Sequence, residues 1–266
     1  MSASGYYARA SRPDRPTEVW RQERVGAIAE VHAEVRHRYG RPRRTAELTA
    51  REYECSENTV AKLMSAPGIR AKTRRRFIRT TDSNHRLPVA ANVLARNVDP
   101  EGPNEAWCAD ITDIPTREGW LYRAAVEDLF RRMVVGWSMA ATMERRRVVD
   151  ALEMAITRRR PGTGLLAHSD RGSPYASDHD QRVLAPEGIT GSMSGVGPCG
   201  DHAPVASFFG RLKCDVGPDQ MFATRDQARA VVFEYLEVFC NRVRWHSSLG
   251  FVSPGEFERA YNQTHR

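Results

Sequence analysis

Residues 107–140 read WCADITDIPTREGWLYRAAVEDLFRRMVVGWSMA. Three runs within this stretch, WCADITDIP, GWLYRAAVEDLF and RMVVGWSMA, alternate in polarity or are rich in β-branched and aromatic residues, and turn residues such as Glu118 and Gly119 separate them. That pattern predicts three consecutive strands, the first two joined by a hairpin turn. Downstream, Arg147 to Arg159 carries Val148, Leu152, Ala155 and Ile156 at helical spacing, and LLAHSD reads as a fourth strand ending at Asp170. Further helices are expected near Asp178 to Leu184, Pro204 to Lys213 and Arg225 to Arg242. Three strands, a helix, a strand and then helices make a mixed α/β order.

Upstream, Val25, Ile28, Val31 and Val35 mark one face of a helix running from about Thr17 to Arg38. Tyr39, Gly40, Arg41 and Pro42 break it, and a shorter helical stretch follows around Thr45 to Arg51, carrying Leu48. Ser56 stands where an N-cap would stand, ahead of a helix with Val60, Leu63 and Met64 on one side and Pro67 and Gly68 at its end. Two short helices joined by a tight turn after a longer one fit a helix-turn-helix module, whose last helix would enter a major groove. A plain three-helix bundle fits the same pattern. Arg70, Lys72, Arg74, Arg75, Arg76 and Arg79 then place six positive charges in ten residues. Such a cluster neutralises phosphates and favours nucleic acid, with a solvated basic linker as the alternative.

The stretch from Thr80 to Pro103, with Pro88, Pro100 and Pro103, reads as an extended connector. The expected organisation is therefore a polar tail over 1–16, a helix-turn-helix-like DNA-binding domain over 17–79 with a basic C-terminal segment, a linker over 80–103, and an α/β core over 104–263.

Forty Lys and Arg against thirty-three Asp and Glu give a formal net charge of +7, which favours a polyanionic partner. The five cysteines are odd in number, spread out, and form no CxxC pair, so they read as reduced thiols of a cytoplasmic protein. His32 and His37 are followed by no CxxC, which argues against a structural zinc site. No apolar run approaches the roughly 18 residues that span a bilayer, so no membrane partner is expected.

Asp110 falls on the first strand and Asp170 at the end of the fourth, where neighbouring strands can bring two carboxylates together. Hard divalent cations want such oxygen ligands, and Mg²⁺ commonly takes one or two carboxylates plus phosphate oxygens and water. The strings WCADITDIPT, DLFRRMVVGW, HSDRGSPYAS, SFFGRLK and FEYLEVFCNRVRWHSSLGFVSPGEF occur in this order. Together they resemble the integrase core of bacterial insertion-sequence transposases, the copy-out, circle-forming insertion sequence three family, which is similar to retroviral integrases. The upstream SGYY start and the helical module with HRLPVA resemble that family's DNA-binding half.

The resemblance implies a ribonuclease H-like mixed sheet and an Asp, Asp, Glu triad acting with Mg (or Mn) to cleave phosphodiesters and transfer strands. It implies transposon-end and target DNA as partners, a homo-oligomer on DNA, and a nucleoid-associated place in a bacterial cytoplasm. Carried onto this chain, it makes Asp110 and Asp170 metal ligands and catalytic residues, with Arg211 and Lys213 joining Arg74, Arg75 and Arg76 in contacting DNA.

In that family a glutamate follows the second aspartate with about thirty-five residues between, and a basic residue comes seven positions later. Here the glutamate position holds Ala206, and Lys213 keeps the register. Glu187 comes too early, Asp201 lies about 140° around a helix, and His202, one turn back, carries an imidazole that suits Mg²⁺ poorly. The preceding loop, GVGPCGDHAPVAS, also departs from the family, as do Asp113, Arg131 and Pro174. The expected result is little or no strand cleavage, the alternative being a DNA-binding regulator of transposition that does not cut; a rearranged site using His202 is a third reading. His168 reads equally as an active-site orienter or a structural strand-end residue. Trp107, Trp120 and Trp137 read as core, and Asn241, Arg242, His246 and Ser247 as a polar group near DNA or as caps.

Overall fold

The computed structural model describes residues 15–73, 90–95, 97–142, 146–170, 183–194, 203–216 and 221–265. The chain divides into two compact units, Met1–Thr73 and Arg74–Arg266.

The first unit is built from helices α1 (Pro16–Glu34), α2 (Arg41–Ala50) and α3 (Glu57–Ser65). Ile28, Leu48 and Val60 are wholly buried at their meeting point, with Ala27, Leu63 and Met64 around them. Helix α2 starts earlier than its apolar pattern suggests, because Pro42 sits in the first turn, where a missing N–H costs nothing. Ser56 caps α3 as expected, its Oγ accepting from the Thr59 N–H at 3.2 Å. Asn58 and Lys62 of α3 face solvent. Arg44 is wholly buried. Its guanidinium donates to the Tyr39 carbonyl at 2.8 Å and lies 2.7 Å from the His32 Nδ1. Burial, then Arg44 and His37, hold the His32 imidazole below its usual range.

The second unit is a five-stranded sheet in the order β3-β2-β1-β4-β5. Strands β1 (Ala106–Thr116), β2 (Gly119–Asp128) and β3 (Met133–Ala140) form an antiparallel meander. Strands β4 (Leu166–Ser169) and β5 (Thr190–Met193) add in parallel on the far side of β1. Gly119 makes the expected hairpin possible, with φ of 105°. The fifth strand was not expected from the sequence. TGSM carries a single β-branched residue, Thr190, beside a glycine and a serine, and pairing with β4 defines it.

Helix α4 (Arg146–Arg159) covers one face of the sheet, burying Val148, Ala151, Leu152 and Ala155 against Trp107, Ala109, Ala124, Val126 and Val135. Its close approach depends on Gly136. A Cβ there would stand 2.1 Å from the Ala151 carbonyl oxygen and 2.8 Å from the Ala155 Cβ. Gly136→Ala is therefore expected to push α4 off the sheet and cost about 2–3 kcal/mol, read by chemical denaturation. An unchanged unfolding midpoint would refute this contact.

Helix α5 (Ala203–Val216) buries Val205, Phe208, Phe209 and Leu212. Helix α6 (Arg225–Phe233) continues into a π-helix over Glu234–Val243, in place of the single α-helix expected there. Helix α7 (Pro254–Thr264) closes the described chain. Its start carries a reciprocal capping box, Ser253 with Glu256. Most of the helix expected near Asp178 to Leu184 lies outside the described residues. The segment leading into the sheet is not wholly a free connector: Leu94 is buried, and the Met193 N–H reaches the Ala91 carbonyl at 3.4 Å.

Candidate active site at the junction of β1 and β4

The parallel register of β1 and β4 pairs Ala106 with Leu166 through to Ala109 with Ser169. The next residue on β1 is Asp110 and the residue just past β4 is Asp170, so the register brings the two carboxyl groups within electrostatic reach. The Ile111 N–H donates to Asp110 Oδ1 at 2.7 Å. Burial, and then the charge of Asp170, push the Asp110 carboxyl up to about 7, against the opposing pull of that N–H, Lys213 and Arg123.

The end of β4 is held from the β5 side. His168 is wholly buried, with Nδ1 2.9 Å from Ser192 Oγ and Nε2 3.2 Å from Ser194 Oγ. Ser192 Oγ also accepts from the Val93 and Leu94 N–H groups at 3.0 and 3.2 Å. Both ring nitrogens of His168 are thus engaged by serine hydroxyls. Of the two readings open for His168, these contacts support the structural one.

Helix α5 lies against β1. Lys213 Nζ donates to Asp113 Oδ1 at 3.3 Å and is within electrostatic reach of Asp110. Ala206 is two turns back, within about 20° of the Lys213 face, and exposed. Among the described residues no three His, Cys, Asp or Glu side chains gather to hold a metal ion. Arg211 turns inward: its Nε donates to Asp215 Oδ2 at 3.1 Å. The buried Asp215 also accepts from the Tyr235 hydroxyl at 3.1 Å, which in turn accepts from Arg244 Nη1 at 3.2 Å. Arg74, Arg75, Arg76, Asp201 and His202 lie outside the described residues.

Asn241 belongs to the fold. Its side-chain oxygen accepts from the Val134 N–H at 3.0 Å and its Nδ2 donates to the Val134 carbonyl at 2.9 Å, as a neighbouring strand would. Trp107 is core, as expected, whereas Trp120 is 49% exposed, because it opens β2 at the hairpin. Trp137 donates from Nε1 to Glu237 at 2.7 Å. Arg131, out of place in the sequence, pairs with Glu258 at 3.0 Å.

Two buried charges on β2 were missed, although each interrupts an otherwise apolar strand in the sequence. Arg123 is wholly buried, none of its three guanidinium nitrogens has a hydrogen-bond partner among the described residues, and it lies 4.9 Å over the Phe209 ring. Burial pulls it down to about 9. Glu127, also buried, is pushed up to about 7 by burial. A carboxyl whose folded value stands above its unfolded value of 4.5 leaves stability intact at low pH and lowers it as pH rises towards about 7. The parent is therefore expected to lose on the order of 2 kcal/mol between pH 4.5 and 7.5 that Glu127→Gln does not lose. Parallel stability curves for the two proteins would rule this out.

Two neighbouring carboxyl groups are the kind of ligand a divalent cation takes, and a bound cation would offset both the burial and the Asp170 charge that raise Asp110. Two carboxylates suit one Mg²⁺ completed by water and phosphate oxygens. A meander extended by two parallel strands, with this pair at its centre, is a ribonuclease H-like integrase core.

Comparison with known proteins agrees. The family description Integrase core domain matches residues 100–199 and again 206–261, and HTH-like domain matches residues 20–77. The chain is 40% identical to the transposase InsF for insertion sequence IS3A of Escherichia coli (strain K12), over 97% of this chain and 90% of that one. It is 38% identical to the insertion element IS600 uncharacterized 31 kDa protein of Shigella sonnei, over 99% and 97% respectively. Among solved structures it is similar to a chain of the simian T-cell lymphotropic virus intasome, with a TM-score of 0.48 and 15% identity, covering 86% of this chain and 73% of that one. The chain belongs to the IS3-family insertion-sequence transposases. No described helix is long and apolar enough to cross a membrane.

Proposed function

We propose that this chain binds transposon-end DNA through its helix-turn-helix-like unit and presents it to an integrase core whose chemistry Ala206 impairs. The observation that carries the reading is the register pair Asp110 and Asp170 beside a helix whose corresponding face offers only a methyl group at residue 206. The reaction of the family is cleavage and transfer of DNA strands at phosphodiesters, and DNA integration is its outcome.

Asp110 and Asp170 are the residues that would hold Mg²⁺ or Mn²⁺. When bound, the ion would neutralise phosphate charge and polarise the attacked phosphoryl group. Lys213 supports the site in two ways: it draws Asp110 towards its ionised form and offers its ammonium to a phosphate entering beside Asp113. Arg211, held by Asp215, serves the packing of α5 at least as much as DNA. Arg74, Arg75 and Arg76 extend the contact along the duplex backbone. Bringing two transposon ends together calls for at least a dimer.

The test is a labelled transposon-end duplex incubated with the full chain and Mg²⁺ or Mn²⁺. Specific end binding with cleavage at background is expected. Robust cleavage by the unmodified chain would overturn the impairment, and absence of binding would overturn the assignment of DNA as partner.

A further inference from the structure

We propose that an arginine-lined groove at the outer edge of the sheet is a second site for the phosphate backbone of duplex DNA. This rests on the reading of the chain as a DNA-acting transposase. The groove encloses about 360 Å³ over the start of β3, with Arg158 and Arg159 from α4, Arg242 from the π-helix and Arg259 from α7 on its walls. Strand β3 is the sheet edge and β2 separates it from β1, so this groove is distinct from the carboxylate pair.

The fold explains two of the four arginines. Arg158 donates to Glu237 at 2.7 Å, Arg159 is bonded to Glu258, and both sit in the last turn of α4, where positive charge complements the helix dipole. Arg242 has no such account, and Arg259 has only the electrostatic reach of Glu256 on its own helix. Both are exposed, and neither makes a hydrogen bond or ion pair among the described residues. Four guanidinium groups against two glutamates leave the groove net positive. Its floor is firm, because Asn241, next to Arg242, is bonded to both main-chain groups of Val134. A guanidinium presents a planar fork that matches phosphate oxygens, and walls from three separate elements suit an extended ligand better than a single ion.

The experiment is fluorescence anisotropy of a labelled duplex of about 30 base pairs with the full chain, titrated at several salt concentrations. Arg242→Gln/Arg259→Gln is expected to weaken binding about tenfold and to make the salt dependence shallower by about one to two phosphate contacts. Arg146→Gln/Arg229→Gln removes the same charge elsewhere and is expected to leave binding near the parent value. Arg242→Lys/Arg259→Lys keeps charge, loses the fork, and should fall between parent and the glutamine pair, which guards against a folding defect. Equal loss in both glutamine pairs would overturn the groove as a site. So would parent-like binding by the groove variant, the result expected if the groove docks an acidic protein instead, and DNA binding through the helical unit would then still stand. A parent chain that binds no duplex at all would overturn both readings.

Discussion

Ala206→Glu is expected to raise metal-dependent strand transfer on transposon-end DNA by about a hundredfold over the unmodified chain, a gain on the scale of restoring one preorganised stabilising group to an active site. Three observations make this a large effect. Asp110 and Asp170 are already adjacent through the β1 and β4 register. Residue 206 is exposed on the Lys213 side of α5, so a longer side chain meets no packed neighbour. The helix itself is anchored by Val205, Phe208, Phe209 and Leu212, none of which the substitution touches. Equal activity of the parent and Ala206→Glu would sink the proposal that this residue limits the chemistry. Asp110→Asn in the Ala206→Glu background should abolish the gain.

Arg123→Met is the substitution expected to stabilise the protein most. A buried guanidinium with no hydrogen-bond partner among the described residues carries a desolvation cost of several kcal/mol. Its stacking over Phe209 returns on the order of 2 kcal/mol. The cost wins, and methionine fills much of the same space without charge. A net gain of about 2 kcal/mol should appear as a thermal midpoint higher by roughly 4–8 °C. An unchanged or lower midpoint would mean that the Asp110 and Asp113 carboxylates compensate Arg123 more fully than their distance in sequence suggests.

The sequence made the meander legible because each strand is long and strongly patterned, and Ser56 gave the start of α3 because capping is a local interaction. The carboxylate pair was legible through motif order, and its closeness follows from a register that no local pattern encodes. What escaped was set by tertiary contact. TGSM becomes β5 only beside β4. Gly136 looks like a weak point in a strand until α4 is laid over it. Arg123 and Glu127 look like the polar side of a half-exposed strand until the helices bury that side too. The arginines of the groove are separated by up to about a hundred positions and meet only around the edge of β3.

The Ser192 hydroxyl also bears on the order of folding. It joins Val93 and Leu94, ninety-nine and ninety-eight residues earlier, to His168 on β4. Loop closure over such separations is slow relative to hairpin formation. During synthesis the β1 to β3 meander can assemble while Ser192 is still unmade. The β1 and β4 register places Asp170 beside Asp110, and the Ser192 hydroxyl adds a later tie at the end of β4. That tie is thus among the last parts of the sheet to form.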